Sequence, residues 1–169
     1  NSTAFGFSKN LRLDLVVNDL TYSGYKNNEI ILHSDGTPKR PIIHIADICQ
    51  AIDLIINDSR KLDKQIFNIG SNSMNYSIKE IAEQVADCLS LENITFGKFD
   101  SDQRSYELEF KKFLKYFPSF AIKYNLEEGI INLIQNLQTY EISGNEKRIQ
   151  VLKRLIAEEK VDKNLFFVT

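Results

Sequence analysis

Short apolar segments alternate with helix-like patterns along most of this 169-residue chain. The segments that look like strands are residues 29–33, 65–70 and 94–96. Between them, apolar residues recur every three or four positions, as on the buried face of a helix. Strands separated by helices indicate an α/β or α+β organisation. We therefore expect an α/β chain with a few short strands and about six helices, too few strands to complete a large sheet.

Polar residues mark where several helices should begin. Residues 10–25 carry a helical stripe, with Asn10 as the candidate N-cap. Residues 45–56 have a broad apolar face, which predicts a helix that packs against a sheet. Ser77 and Glu80 have the spacing of a capping box just before another apolar stripe.

The second half of the chain is predicted to be mostly helical. A short helix over residues 113–117 should stop at Pro118, because proline cannot continue a helix. Asn125 opens the next helix, and residues 149–156 form an amphipathic last one. The apolar tail at residues 165–168 must dock on other residues.

Composition excludes several classes of protein. A net charge of −2 disfavours a nucleic-acid surface, which normally carries a basic excess. Apolar runs fall short of the roughly 20 residues that a membrane-spanning helix requires. Cys49 and Cys88 lie in apolar, helix-like surroundings, so we expect two buried free thiols, as suits the reducing cytoplasm. With two histidines and no clustered ligands, a metal site is not expected.

Arg40 is the first candidate for binding a ligand. Pro38 and Pro41 restrict the backbone on either side of it, and Gly36 supplies a turn just upstream. An arginine held in this way offers a planar fork of donors to a pair of anionic oxygens. The alternative is a solvated surface arginine in a turn.

Arg104 is the second candidate. It lies in a loop or strand start that leads into a short helix, and two such arginines suggest a diphosphate rather than a single phosphate. The alternative for Arg104 is an ion pair with Asp100 or Asp102.

Other polar residues have weaker patterns. His44 lies between isoleucines and is more typical of a hydrogen-bonded core histidine than of a catalyst. Asp14 and Asn18 stand one helical turn apart, so they could face one ligand or serve as capping or surface residues. The tyrosines and phenylalanines at strand or helix spacing are expected to be core residues.

Five segments, taken in order, resemble the C-terminal half of nucleotide-sugar epimerases and dehydratases, which are extended members of the short-chain dehydrogenase/reductase superfamily. The segments are residues 3–6 (TAFG), 13–18 (LDLVVN), 40–48 (RPIIHIADI), 67–71 (FNIGS) and 102–106 (DQRSY). Phe7 stands where this family usually has a proline.

The resemblance implies a two-part enzyme. An N-terminal Rossmann domain would bind NAD or NADP, and a C-terminal region would bind a nucleotide-diphosphate sugar. Hydride transfer to the cofactor would be assisted by a tyrosine and a lysine separated by three residues. Arg40 and Arg104 would then contact the diphosphate, with Asn18 as a further substrate contact. Ser2 and Thr3 would pass close to the nicotinamide, and Asp47 would have a structural role.

The same resemblance places the glycine-rich fingerprint and the tyrosine–lysine pair before Asn1. Residues 1–169 are therefore expected to be one nucleotide-sugar-binding region that lacks most of the Rossmann sheet, with residues 44–70 completing the edge of that domain. No catalytic residue, no cofactor binding by the chain alone and no turnover are expected. The partner would be a missing N-terminal domain or a second copy. The alternative is a non-catalytic binding or oligomerisation module derived from such an enzyme.

Overall fold

The computed structural model describes residues 2–58, 60, 62, 64–96, 104–142 and 148–160. Within these residues the chain has five short strands, one 3₁₀ turn and six α-helices, which confirms the predicted α/β class. In chain order they are β1 (Thr3–Phe5), α1 (Val16–Asn27), β2 (Ile30–Leu32), β3 (Lys39–His44), α2 (Ile45–Ile56), the 3₁₀ turn (Asn72–Met74), β4 (Asn75–Ser77), α3 (Ile78–Leu89), β5 (Ile94–Phe96), α4 (Lys111–Tyr116), α5 (Leu126–Thr139) and α6 (Arg148–Ala157).

The strands form two small sheets. In the first, the order is β1-β3-β4: β1 runs parallel to β3, and β3 runs antiparallel to β4. In the second, β2 runs parallel to β5. Parallel neighbours need a crossover, and α1 lies on the connection from β1 to β3. Strand β3 is therefore central, and Arg40 lies on it opposite Tyr76 of β4.

The main core lies between these sheets and three helices. Helices α1, α3 and α5 pack on one another and on the buried sides of the strands. Gly24 lets α1 approach α3 closely, because a Cβ at this position would lie 2.6 Å from Leu89 Cδ1. The fully buried members are Val17, Ile30, Ile42, Ile81, Ala82, Val85 and Ile130.

A second core is aromatic. Phe113, Phe117 and Phe120 pack against Ala51 of α2, and Phe67 meets the Phe113 ring at 5.7 Å between centroids. The broad apolar face predicted for α2 thus divides in two. One side covers the aromatic cluster, and the other exposes a stripe of Ile45, Cys49, Ile52 and Ile56, the last of them 74% exposed.

Three sequence predictions are corrected by the structure. The first helix begins at Val16 rather than near residue 11, and Leu15 rather than Asn10 is its N-cap residue. Residues 65–70 are not a strand, because they pair with no other strand among the described residues and instead place Phe67 in the aromatic cluster. Cys49 and Cys88 are free as expected, but Cys49 is exposed and Cys88 only half-buried.

The other helix predictions are confirmed. Ser77 and Glu80 form a complete capping box at α3, and Asn125 with Glu128 forms another at α5. The amphipathic last helix is present as α6. The predicted tail at residues 165–168 lies outside the described residues, as do Asp100 and Asp102, the alternative ion-pair partners of Arg104.

Candidate functional site

The two predicted arginines line one cleft of about 390 Å³. Strand β3 contributes Arg40, β1 contributes Thr3, and Arg104 comes from the irregular segment before α4. The structure therefore brings together three of the five residues singled out as ligand contacts. The remaining walls are Asp14, Leu15, Val16, His33, Ser34, Pro38, Ile78 and Tyr106.

Arg40 is oriented by its neighbours. Its Nη1 donates to the carbonyl oxygen of Lys39 at 2.9 Å and also to the carbonyl oxygen of Arg104. Its guanidinium carbon lies 5.5 Å from the centre of the Tyr106 ring. These contacts fix the guanidinium plane beside the cleft, so that less rotamer freedom remains to be lost on binding a ligand.

Residues 104–110, here called the strap, lie along the edge of β3 and β4. At one end Lys39 N donates to Ser105 Oγ at 3.0 Å, and Tyr106 N donates to Lys39 O at 3.3 Å. The Lys39 ammonium also pairs with the Glu107 carboxylate at 2.5 Å. These bonds bring Arg104 to Arg40, although 64 positions separate them.

Two asparagine side chains hold the other end of the strap. Leu108 N donates to Asn75 Oδ1 at 3.0 Å, while Asn75 Nδ2 donates to Leu108 O at 3.1 Å. Asn72 Oδ1 accepts from Phe110 N at 3.2 Å. The Asn75 amide thus reproduces both hydrogen bonds of a paired strand residue. No motif in the sequence pointed to these asparagines.

Asn18 is buried beside the cleft. Its Oδ1 accepts from Gly6 N at 3.0 Å, and its Nδ2 donates to Arg12 O at 3.2 Å, so the side chain fixes the loop after β1. Asn18 lines an adjoining cavity of about 290 Å³, which shares Leu15 with the arginine cleft. A direct contact between Asn18 and substrate stays a prediction.

Asp14 does not share a helical face with Asn18, because it precedes α1. It pairs with Arg12 at 2.6 Å between Nη2 and Oδ2. The two residues nevertheless line adjoining cavities, Asp14 the cleft and Asn18 its neighbour.

His44 lies against Gly6 of the loop after β1, because a Cβ at Gly6 would be only 2.7 Å from His44 Nε2. His44 is 4% exposed, caps α2 by accepting from Ala46 N through Nδ1, and stacks on Tyr124 at 4.1 Å between centroids. Burial lowers the pKa of His44, and the charge of Asp47 opposes this only in part. The prediction of a hydrogen-bonded core histidine is confirmed.

Asp47 has a structural position. It is fully buried in the first turn of α2 and accepts from Lys123 N at 2.9 Å and Tyr124 N at 3.3 Å. The carboxylate therefore ties α2 to the loop that precedes α5.

The two predicted cofactor contacts have different surroundings. Thr3 lines the cleft, whereas the Ser2 hydroxyl donates to Ile69 O at 3.0 Å. No two of the seven glycines stand two positions apart, so these residues offer no glycine-rich cradle for a dinucleotide pyrophosphate. Within the described ranges, no helix is long and apolar enough to cross a bilayer, and no three acidic, histidine or cysteine side chains are grouped as metal ligands.

One tyrosine–lysine pair with the family's spacing does occur within the chain, contrary to the expectation that such a pair lies only before Asn1. Tyr22 and Lys26 are separated by three residues on α1. They line a different cavity, of about 460 Å³, together with residues 137–142. The Lys26 ammonium lies 5.8 Å from the centre of the Tyr25 ring. The structure does not bring this pair into the arginine cleft.

Residues 6–70 match the NAD dependent epimerase/dehydratase family. This segment contains Asn18 and Arg40 but ends before Arg104.

Solved structures extend the likeness over most of the chain. It superposes with a TM-score of 0.69 on dTDP-glucose 4,6-dehydratase from Bacillus anthracis, at 22% identity, covering 83% of this chain and 43% of that one. For UDP-glucose 4-epimerase from Thermotoga maritima the TM-score is 0.69 at 18% identity, with 82% and 44% covered. For ADP-L-glycero-D-manno-heptose-6-epimerase from Helicobacter pylori it is 0.66 at 18% identity, with 82% and 43% covered. The chain shares their fold. It spans less than half the length of each.

Proposed function

We propose that this chain is the substrate-binding portion, corresponding to the C-terminal half, of an NAD-dependent nucleotide-sugar epimerase or dehydratase. Arg40 and Arg104 would hold the diphosphate. The observation that carries the proposal is that two arginines from distant segments line one cleft. A pair of guanidinium forks matches the oxygens of a pyrophosphate in both charge and hydrogen-bond geometry.

The shape of the site supports an extended ligand. The arginine cleft continues past Leu15 into the cavity that Asn18 lines. A diphosphate beside the arginines would leave this second cavity for one end of a nucleotide sugar. Among proteins of similar fold, the Thermotoga maritima epimerase was solved with UDP-glucose, and MoeE5 with UDP-glucuronic acid and NAD.

Calorimetric titration tests the assignment. The chain is expected to bind UDP-glucose or dTDP-glucose more tightly than uridine or thymidine. Arg40→Ala and Arg104→Ala should each weaken binding about 10- to 100-fold, the usual range for one charge-assisted contact. Arg154→Ala on α6 is the matched control and should bind like the unaltered chain. Equal binding by all four proteins would refute a diphosphate site at these arginines.

We also propose that these 169 residues bind without turnover. They lack a glycine-rich cradle for NAD, and Tyr22 and Lys26 line a different cavity from the arginines. Incubation of the chain with NAD and a bound nucleotide sugar should therefore give no epimer, dehydration product or NADH absorbance. Turnover that Tyr22→Phe abolishes would instead make the α1 pair catalytic.

The exposed stripe on α2 favours one other function, a non-catalytic module that associates with a second copy of itself. Sedimentation of the chain over a range of concentrations separates the two proposals. A dimer that does not bind nucleotide sugars would support the module, whereas a monomer that binds them supports the enzyme portion. Cytoplasmic localisation remains a prediction under both.

A further inference from the structure

We propose that Tyr106 is a positioning residue, whose ring holds the Arg40 guanidinium at the edge of the cleft. The inference rests on the proposed function and adds to it a residue outside the predicted ligand contacts. It concerns how the site is prepared before a ligand arrives.

Tyr106 lies at the surface of the cleft rather than in the core. Tyrosines at strand spacing were expected to be core residues, but the Tyr106 side chain is 42% exposed and lines the cleft. The guanidinium carbon of Arg40 lies 5.5 Å from its ring centre, within the range of a cation–π contact. The ring is therefore placed against a charged group instead of in the core.

The backbone around Tyr106 is fixed on both sides. Its own N–H donates to Lys39 O, the preceding Ser105 hydroxyl accepts from Lys39 N, and the following residue, Glu107, pairs with the Lys39 ammonium. Two residues further on, Asn75 holds both polar groups of the Leu108 backbone. These bonds fix the backbone that carries the ring relative to β3, the strand that carries Arg40.

A cation–π contact suits a guanidinium that must also bind an anion. The ring attracts the charged group without accepting a hydrogen bond from it, whereas Nη1 of Arg40 already donates to the carbonyl oxygens of Lys39 and Arg104. Tyr106 can therefore restrict the long Arg40 side chain without competing for the donors that a phosphate would use. The loss of side-chain entropy on binding becomes smaller, so affinity rises without any contact between Tyr106 and the ligand.

Three variants test the inference. Tyr106→Leu removes the π face, Tyr106→Phe keeps it, and Tyr25→Leu is the matched control, because Tyr25 makes a similar contact with Lys26 in the other cavity. Tyr106→Leu should weaken binding of UDP about 3- to 10-fold, whereas Tyr106→Phe and Tyr25→Leu should stay within about twofold of the unaltered chain. If only the Tyr106 hydroxyl mattered, Tyr106→Phe would bind UDP as weakly as Tyr106→Leu.

A measurement without ligand accompanies the titrations. In the NMR spectrum, the Arg40 Nε–H proton should show a ring-current shift that Tyr106→Leu abolishes and Tyr106→Phe keeps. The inference is overturned if Tyr106→Leu binds UDP like the unaltered chain, if Tyr106→Phe is as weak as Tyr106→Leu, or if the Arg40 shift survives loss of the ring. If the unaltered chain binds no UDP, the proposed function is wrong, and Tyr106 then has no role in binding UDP. The Arg40 shift still decides, without any ligand, whether the Tyr106 ring holds the guanidinium.

Discussion

Gly6 shows how a single residue permits the loop beside the site. Its φ of +121° is one that L side chains rarely adopt, and a Cβ there would lie 2.7 Å from His44 Nε2. Gly6→Ala should therefore lower the free energy of unfolding by about 2 kcal/mol or more. Urea denaturation followed by circular dichroism measures this, with exposed Lys9→Ala as a control expected within about 0.5 kcal/mol of the unaltered chain. An equally stable Gly6→Ala would show that the loop can adopt another conformation.

His44 makes stability depend on pH. Burial lowers its pKa below the ordinary 6.5, so the unfolded chain binds more protons than the folded one as pH falls through that value. Stability from this group is thus present above about pH 6.5 and is lost on acidification, at no more than about 1.4 kcal/mol per pH unit.

Urea denaturation at pH 7.5 and at pH 5.5 measures the effect. The unaltered chain should be less stable at the lower pH. His44→Asn, which keeps an acceptor for the Ala46 N–H, should show a smaller difference between the two. Identical pH dependence in both proteins would mean that His44 titrates normally.

At the residue scale, sequence predicted the cleft arginines but not what orients them. Arg40 was a candidate because Pro38 and Pro41 restrict the backbone on either side of it. Arg104 was a candidate because it lies in a loop or strand start that leads into a short helix. Tyr106 and Asn75 carried no such signal, since an aromatic residue or an amide in an irregular segment has many uses. Only the folded chain shows that Tyr106 contacts the Arg40 guanidinium and that Asn75 bonds to the Leu108 backbone.

The strap is the element that the structure adds to the predicted site. It is attached to β3 and β4 chiefly through side chains, and Asn75 supplies two of the bonds. Asn75→Ala should speed amide hydrogen exchange at Leu108 about 10-fold or more, since loss of these bonds lets the segment open. Ser73→Ala is a nearby control with an exposed side chain, and exchange within α5 should not change in either variant. Unchanged protection of Leu108 in Asn75→Ala would mean that other contacts hold the strap.

Helix α3 should depend on its capping box. Ser77 Oγ accepts from Glu80 N at 3.1 Å, and Glu80 Oε2 accepts from Ser77 N at 2.6 Å. Ser77→Ala should cost about 1 kcal/mol of stability, and Ser77→Asp should restore most of it, because aspartate is also a good N-cap. Thermal unfolding of the three proteins measures this. If Ser77→Ala is as stable as the unaltered chain, the neighbouring contacts of β4 suffice to hold the helix start.

Element types were easier to predict than element partners. The capping boxes at α3 and α5 mark helix starts by local hydrogen bonds, which sequence spacing encodes. The wrong prediction of a strand over residues 65–70 has the opposite cause. A strand exists only if another strand lies alongside it, and an apolar run alone does not specify its partner.

At the scale of the whole molecule, ligand binding should depend on salt. The chain has a net charge of −2, so attraction of an anion must come locally from Arg40 and Arg104 rather than from the overall field. The screening length falls from about 10 Å at 0.1 M salt to about 3 Å at 1 M. UDP affinity should therefore drop between these two conditions, less steeply in Arg40→Ala, while uridine affinity changes little. Calorimetry at both salt concentrations tests this, and a salt-independent affinity for UDP would contradict an exposed diphosphate site.

The sequence by itself determined the α/β class, the starts of α3 and α5, and Arg40 and Arg104 as candidate ligand contacts. These depend on periodicity, capping and turn chemistry, all of which act over a few neighbouring residues. Only the tertiary structure decided that the two arginines share one cleft with Thr3, that Tyr106 lies against Arg40, and that Tyr22 and Lys26 line another cavity. Those relations join residues far apart in the chain, and long-range hydrogen bonds and packing set them.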